Sequence, residues 1–342
     1  MGKKLVGIIF FRPTLGGGTT TFAAHLFKAL EAAGANPMIY RVADEEPRTL
    51  VKPRQFGKYD GVKYIKVGPE SLKNVVKSMP TVMAAPANSK FFPNNPDIIV
   101  NMMTLGMRTV IHDPNEFTIY DHLGKATKLP SRPICIRPTM KRFYRDALWI
   151  PHPYFQVPSP APGKRRLAGS IARIASVKRP RLLLDANRQV VKNKRIELRG
   201  AEYRMYTYNL QKKYGDVFQQ CGGTFQFPMT FEAPVEVASG YRLNFDMTYF
   251  PDDGGGTQYA QMEAMNAGTV NVMHEDWWRL GPGEMKPGKH VLTVDGVQSI
   301  IAMLCSPPEQ DQLDEINHNC QALLRNHAPA KVGKMYLEEI TK

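Results

Sequence analysis

Short apolar runs alternate with amphipathic stretches over the first 150 residues. Runs at 5–11, 37–42, 61–67, 97–102, 109–112 and 133–137 are rich in Val, Ile and Phe and too short for stable helices, so each is expected to be a buried strand. Between the first two, Phe22, Leu26, Phe27, Leu30 and Ala33 recur at helical spacing. Strand, glycine-rich loop and helix therefore follow in order, which is a βα unit, and its repetition predicts a parallel sheet with crossover helices. Lys3-Lys4 before the first apolar run superficially matches a secretion leader, but the run stops at Arg12-Pro13 without a small-residue cleavage site. A buried first strand fits better.

Periodicity breaks at Pro151, and residues 151–163 carry prolines at 151, 153, 158, 160 and 162. Such a stretch is expected to be an extended interdomain linker. A second alternating series follows, with strands at 167–174, 195–198, 224–227, 243–248 and 269–273 and helices at 180–191, 206–214, 258–266, 297–303 and within 309–341. The expected organisation is an N-terminal Rossmann-like domain over 1–155, a C-terminal one over 164–325, and a terminal helix at 326–342 packing back on the first domain. Ligands of open α/β sheets bind outside the carboxyl ends of the strands.

A chain of 342 residues suits two such domains. No apolar run approaches the roughly 20 residues a membrane helix needs, so no membrane partner is expected. The four cysteines, Cys135, Cys221, Cys305 and Cys320, lack paired-thiol or zinc spacing and fit reduced thiols in a cytoplasm, that of the host if the source is viral. Charge narrows the function classes further: 45 Lys and Arg against 31 Asp and Glu favour a polyanionic partner.

Three segments carry candidate chemistry. Gly16-Gly17-Gly18 between the first strand and helix lets a backbone approach a ligand, with free N–H groups favouring a polar or anionic group; alone it also fits a tight turn. Gly169-Ser170-Ile171-Ala172-Arg173, followed by Lys178 and a helix at Pro180, combines a strand, a polar loop with two cations and a helix start, which suits a diphosphate whose charge grows as it leaves. The third is Gly254-Gly255-Gly256-Thr257-Gln258, entering a helix whose single acid is Glu263. An ionised Glu there can accept hydrogen bonds from both hydroxyls of a ribose. Asp252-Asp253 and His274-Glu275-Asp276 more simply cap turns, and Trp277-Trp278 either stacks on a ligand or packs beside the last strand.

Glu263-Ala264-Met265-Asn266-Ala267-Gly268-Thr269-Val270 resembles the Glu-Ala-Met-Ala-Xaa-Gly-Xaa-Pro-Val segment of GT-B glycosyltransferases, and Arg173 and Lys178 resemble that family's donor-diphosphate pair. Many relatives carry another Glu eight positions earlier, where this chain has Gly255, a departure from the usual retaining pattern. A narrower resemblance is to bacteriophage DNA glucosyltransferases, especially the inverting β-glucosyltransferase acting on hydroxymethylated cytosine. Gly169-Ser170 with its following Arg looks like that enzyme's donor-phosphate loop, 196–200 ending in Gly200 like its segment beside the uracil, and 263–265 like its Glu-Thr-Met. The resemblance implies an α/β GT-B fold of two Rossmann-like domains facing a central cleft. It also implies a UDP-sugar donor, probed by Gly17, Gly18, Gly169, Ser170, Arg173, Lys178, Gly200, Gly256, Thr257, Gln258 and Glu263. No obligatory cofactor or metal site is expected, although a divalent cation is expected to stimulate turnover, and the chain is expected to act as a monomer.

Within the same resemblance Asp113 falls at the end of a strand where the phage enzyme has its catalytic Asp, and it is the expected general base for the acceptor hydroxyl. The competing reading is a turn at Asp113-Pro114-Asn115; His112 and Glu116 are the other candidates. Residues 164–213 contain 15 Lys and Arg against three acids, and Arg137, Lys141, Arg142 and Arg145 form a second basic group expected to contact double-stranded DNA. The preferred function is inverting transfer of a hexose to a hydroxymethylpyrimidine rotated out of DNA. A polysaccharide, lipid-linked or small-molecule acceptor is the first alternative, and a non-catalytic nucleic-acid-binding protein on the same scaffold the second.

Overall fold

The computed structural model describes residues 2–11, 15, 17–43, 45, 47, 52–85, 95–112, 131–142, 146–161, 163–220, 228–250 and 254–342. The chain divides into two compact units, one made of 1–155 with 326–342 and the other of 156–325.

The first unit opens with β1 (Leu5–Phe10), α1 (Gly17–Ala32) and β2 (Asn36–Val42). It continues through β3 (Arg54–Gln55), β4 (Lys63–Val67), α2 (Pro69–Ser78), β5 (Thr81–Ala85), α3 (Asn95–Thr104), β6 (Arg108–Ile111), β7 (Ile134–Cys135) and β8 (Leu148–Trp149). These strands form one sheet in the order β3-β4-β2-β1-β5-β6-β7-β8, parallel except for β3 against β4. Val6, Ile8, Ile9 and Phe10 of β1 have no exposed surface, as expected of a central parallel strand covered on both faces. The expected strand at 97–102 is instead part of the helix α3. Ile99, Met102 and Met103 are its buried positions, at i, i+3 and i+4, so one apolar run satisfied both periods and packing selected the helical one.

Among its described residues the proline-rich stretch holds no helix or strand, but its beginning is not a solvated tether. Ile150, His152 and Tyr154 are buried, the Tyr154 ring stacks on His25 of α1 at 5.1 Å, and the Phe155 N–H donates to His25 Nδ1 at 2.8 Å.

The second unit contains β9 (Arg166–Ile171), α4 (Pro180–Asn187), β10 (Glu197–Arg199), α5 (Arg204–Tyr214), α6 (Asp216–Gln220), α7 (Ala233–Ser239), β11 (Tyr241–Asp246), α8 (Tyr259–Asn266), β12 (Val270–His274), β13 (Leu292–Val294), α9 (Val297–Cys305) and α10 (Gln310–Leu324). Its five strands are all parallel, in the order β10-β9-β11-β12-β13. The strand expected at 224–227 lies outside the described residues. After α10 the chain returns to the first unit as α11 (Pro329–Ile340), which packs along α1 so closely that a Cβ on Gly333 would lie 1.9 Å from the Ala29 carbonyl oxygen. No described helix is long and apolar enough to cross a membrane.

Candidate functional site

In the second unit the chain passes from β9 to β10 on one side and later returns to β11 on the other, so the strand order reverses between β9 and β11. That reversal opens a crevice at the strands' carboxyl ends. Beneath it runs a chain of buried amides. Asn244 Oδ1 accepts from the Ile171 N–H (3.0 Å), its Nδ2 donates to Asn271 Oδ1 (2.8 Å), and Asn271 Nδ2 donates to the Gln261 carbonyl (3.0 Å). These bonds tie the ends of β9, β11 and β12 to α8.

Asp246, the last residue of β11, is 1% exposed and accepts from the Thr248 hydroxyl, the Thr248 N–H (3.1 Å) and Gln261 Nε2 (2.9 Å). Lys178 Nζ donates to Thr248 Oγ1 and Gln258 Oε1, both at 2.6 Å, and lies 3.7 Å from Asp246 Oδ1. Burial alone would raise the Asp246 pKa, but the Lys178 charge and the hydrogen bonds from Thr248 and Gln261 outweigh it and hold the pKa below the ordinary carboxylate value. Gln258 in turn caps α8, its N–H donating to Gln261 Oε1 at 2.9 Å. Lys178 is therefore fixed by both ends of the β11–α8 connection. Arg173 is exposed and has no ion pair among the described residues. Its loop crosses Gly200, where a Cβ would lie 2.0 Å from the Ala172 carbonyl oxygen. Gly169 and Ser170 lie within β9 itself, and a Cβ on Gly169 would strike the Tyr241 ring at 2.8 Å, so packing accounts for that glycine.

Gly254–Gly256 are stitched to the segment after β12. Gly255 has φ 73°, its N–H donates to the Trp277 carbonyl (2.7 Å), and its carbonyl accepts from the Glu284 N–H (3.0 Å). The left-handed backbone favours glycine here, which gives a physical reason for the missing acid at this position. Trp277 is buried with its indole N–H on the Gly256 carbonyl (3.0 Å), and Trp278 donates to the Met285 carbonyl (2.9 Å). Trp277 packs and does not stack on a ligand. Thr257 is fully buried, with its hydroxyl 3.2 Å from Glu284 Oε2. His274 Nδ1 accepts from the Asp276 N–H, and the Asp276 carboxylate pairs with Arg179 at 2.8 Å, so this polar cluster caps a turn; Asp252 and Asp253 lie outside the described residues.

Glu263, on α8, is 9% exposed, and its carboxyl has no hydrogen-bond partner among the described residues. Burial pushes its pKa up to about 8. An almost enclosed carboxyl without donors is a costly arrangement unless a ligand supplies them.

In the first unit Gly17 starts α1 with φ 72°, and neither it nor Gly18 has any atom within 4 Å of an added Cβ. Asp113 and Glu116, the candidate base and one of its rivals, lie outside the described residues, as does Arg145. His112 follows β6 and is buried, with Nε2 2.7 Å from the Ala84 carbonyl. Arg137, expected on a DNA-contacting surface, is 7% exposed, and its Nη1 donates to the His112 carbonyl at 2.8 Å. It braces the strand end and is not a surface phosphate contact. Lys141 is exposed on the short 3-10 helix Pro138–Arg142; Arg142 shares that turn, and its side chain is not described.

The sequence scan missed Asp246, Thr248, Gln261, Asn244, Asn271 and Glu284. The one local signal was Asp246-Met247-Thr248 at the carboxyl end of an apolar strand.

No protein-family model and no curated protein matches this sequence. Solved structures match over the full length. An α-glucosyltransferase in complex with UDP and a 13-mer DNA containing a HMU base superposes with TM-score 0.71 at 12% identity, covering 100% of both chains. HepE of Anabaena in complex with UDP and glucose gives 0.69 at 12% identity, covering 98% of this chain and 99% of its own. The α-glucosyltransferase with a DNA containing a central A:G mismatch gives 0.73 at 12% identity, covering 99% and 100%. This is the GT-B fold. Within it, Lys178, Arg173 and Glu263 all belong to the second unit, 156–325.

Proposed function

We propose that this GT-B chain is a glycosyltransferase that moves a hexose from a UDP-sugar, with glucose as the expected sugar, to the hydroxymethyl group of a modified pyrimidine in double-stranded DNA. The observation that carries the donor half is Glu263, a nearly buried carboxyl without a hydrogen-bond partner among the described residues, on α8 of the unit that also holds Arg173 and Lys178. Once ionised it accepts hydrogen bonds from two vicinal ribose hydroxyls, while the two cations meet the diphosphate and stabilise the charge that builds as UDP departs. The UDP and UDP-glucose complexes of the structural neighbours support this half. No metal or other cofactor is required in this reading.

For the acceptor half, Asp113 acts as general base on the hydroxymethyl oxygen and the anomeric centre inverts. The DNA complexes of the α-glucosyltransferase and the basic excess of this chain support a DNA acceptor. The equally full-length likeness to HepE, solved with UDP and glucose, favours a second reading in which the acceptor is not DNA. Labelled nucleotide sugars incubated with duplexes with and without hydroxymethylpyrimidines separate the two. Acid-precipitable label on modified DNA, lost in Asp113→Ala, is the expected result; donor turnover that ignores DNA would assign a carbohydrate or lipid acceptor. The anomeric configuration of the product, read by proton NMR, tests inversion.

A further inference from the structure

Among the described residues, three of the large, exposed, apolar or aromatic side chains fall within six consecutive positions: Tyr203 (64% exposed), Met205 (71%) and Tyr208 (62%). They belong to α5 and its N-cap. Met205 and Tyr208 lie away from the face that buries Thr207, Leu210 and Tyr214, while Tyr203 stands exposed at the N-cap, so the packing of the helix is complete without them. Arg204, Tyr208 and Lys212 follow at i, i+4 and i+8, a stripe of cation, ring and cation spanning roughly 12 Å of helix axis. Neither Arg204 nor Lys212 has an ion pair among the described residues. Beside them the Arg181 guanidinium of α4 lies 5.9 Å over the Tyr206 ring, and an open groove of about 380 Å³ runs between the two helix starts, lined by Ser176, Arg179, Arg181, Leu182 and Tyr206.

The surrounding charge selects the occupant. The 15 cations and three acids of residues 164–213 would repel a second copy of this chain. A lipid surface calls for Leu, Phe or Trp that bury fully, whereas two of these three side chains carry a phenol hydroxyl. Rings flanked by unpaired cations fit a polyanion that also presents flat π faces.

We propose that the exposed face of α5 binds a nucleic-acid strand with unpaired bases, Tyr203 and Tyr208 stacking on bases while Arg204, Lys212 and Arg181 neutralise phosphates. The surface goes beyond the DNA-acceptor reading and does not depend on it, since it takes strands with unpaired bases and not the duplex substrate.

The test is fluorescence anisotropy of a labelled oligothymidine of about 20 nucleotides with the full chain, at several salt concentrations. Tyr203→Ala with Tyr208→Ala is expected to weaken binding by roughly tenfold or more with the salt dependence unchanged, and the double Phe variant to restore it. Arg204→Ala with Lys212→Ala is expected to reduce the slope of log affinity against log salt by about 1.4. Unchanged affinity in the aromatic double variant overturns the proposal, as does wild-type protein that ignores the oligonucleotide but binds phosphatidylserine vesicles through the same tyrosines. Transfer to hydroxymethylated DNA is measured in parallel on wild type. Its absence alongside tyrosine-dependent oligonucleotide binding refutes the acceptor reading and leaves this surface standing.

Discussion

Replacing Glu263 by Gln isolates the electrostatic cost of the donor site. In the free protein the carboxyl titrates near 8, against 4.5 for the free side chain, because it is buried. Between those values the folded state keeps a proton that the unfolded state has released, so stability falls as pH rises, by about 1.4 kcal/mol per pH unit. The accumulated penalty is about 3 kcal/mol at pH 7 and about 5 kcal/mol above pH 8. Glu263→Gln removes the titration and with it this slope. Urea unfolding at pH 5.5, 7 and 8.5, followed by tryptophan fluorescence, should show the wild type losing stability relative to the variant as pH increases. On the proposed reading UDP reverses the preference. Its ribose hydroxyls favour the ionised carboxylate, so wild-type UDP affinity by calorimetry should strengthen with rising pH up to about 8, while the variant binds about tenfold more weakly there and without that pH dependence. Parallel unfolding curves for the two proteins across the pH series, or unaltered UDP binding by the variant, would refute the assignment.

Lys178→Met leaves Asp246 buried without its cation and should destabilise the second unit by about 3–5 kcal/mol at neutral pH, measured by thermal melts. Because the Asp246 pKa is held down, its ionised-state contribution is present above about pH 4 and fades below it, so the melts of variant and wild type should converge in acid. Gly200→Ala drives a methyl to 2.0 Å from the Ala172 oxygen and should cost about 1–3 kcal/mol or more and weaken UDP binding, whereas Gly240→Ala, whose nearest neighbour is 3.4 Å away, serves as a tolerated control. His25, buried with a pKa lowered to about 3, stays neutral in the folded state while the unfolded chain protonates, so the first unit should lose up to about 1.4 kcal/mol per pH unit as pH falls from 6.5 towards 3. His152 is lowered in the same way, so His25→Asn should reduce that acid slope without abolishing it in circular-dichroism melts.

Periodicity made β1 legible because a parallel strand covered on both faces tends to be a continuous apolar run, whereas β11 and β12 were legible from alternating apolar positions interrupted by the buried polar residues Asn244, Asp246 and Asn271. It failed where a run was short or unusual. Residues 97–102 satisfied both periods and became helix, while Thr81–Ala85, alanine-rich after Pro80, carried too little β-branched character to stand out although it lies beside β1 at the centre of its sheet. The site divides in the same way. Arg173, Lys178 and Glu263 could be singled out because each sits in a local pattern of glycines, cations or a helix start. Asp246 lies beside Lys178 from 68 positions away, Gln261 donates to Asp246 from 15 and Glu284 accepts from Thr257 across 27, and side-chain partners brought together only by the fold leave no local spacing to read. Glycines are ambiguous in the opposite direction: Gly169 and Gly200 read as ligand contacts, and close neighbours in the protein itself already require a glycine at both.

The two cations that motif reading treats as a pair are physically unlike. Lys178 is fixed by two hydrogen bonds, and its charge is partly balanced by Asp246, so it offers position at little further cost in side-chain entropy but a reduced net field. Arg173 is exposed and unpaired among the described residues, so it offers its whole charge but must be ordered when it engages a ligand. Rate acceleration by a leaving-group clamp depends on donors already oriented where charge will develop. On the proposed reading, Lys178, with Thr248 and Gln258 behind it, suits the oxygen nearest the breaking bond, and Arg173 suits closure over a diphosphate whose ribose Glu263 would hold.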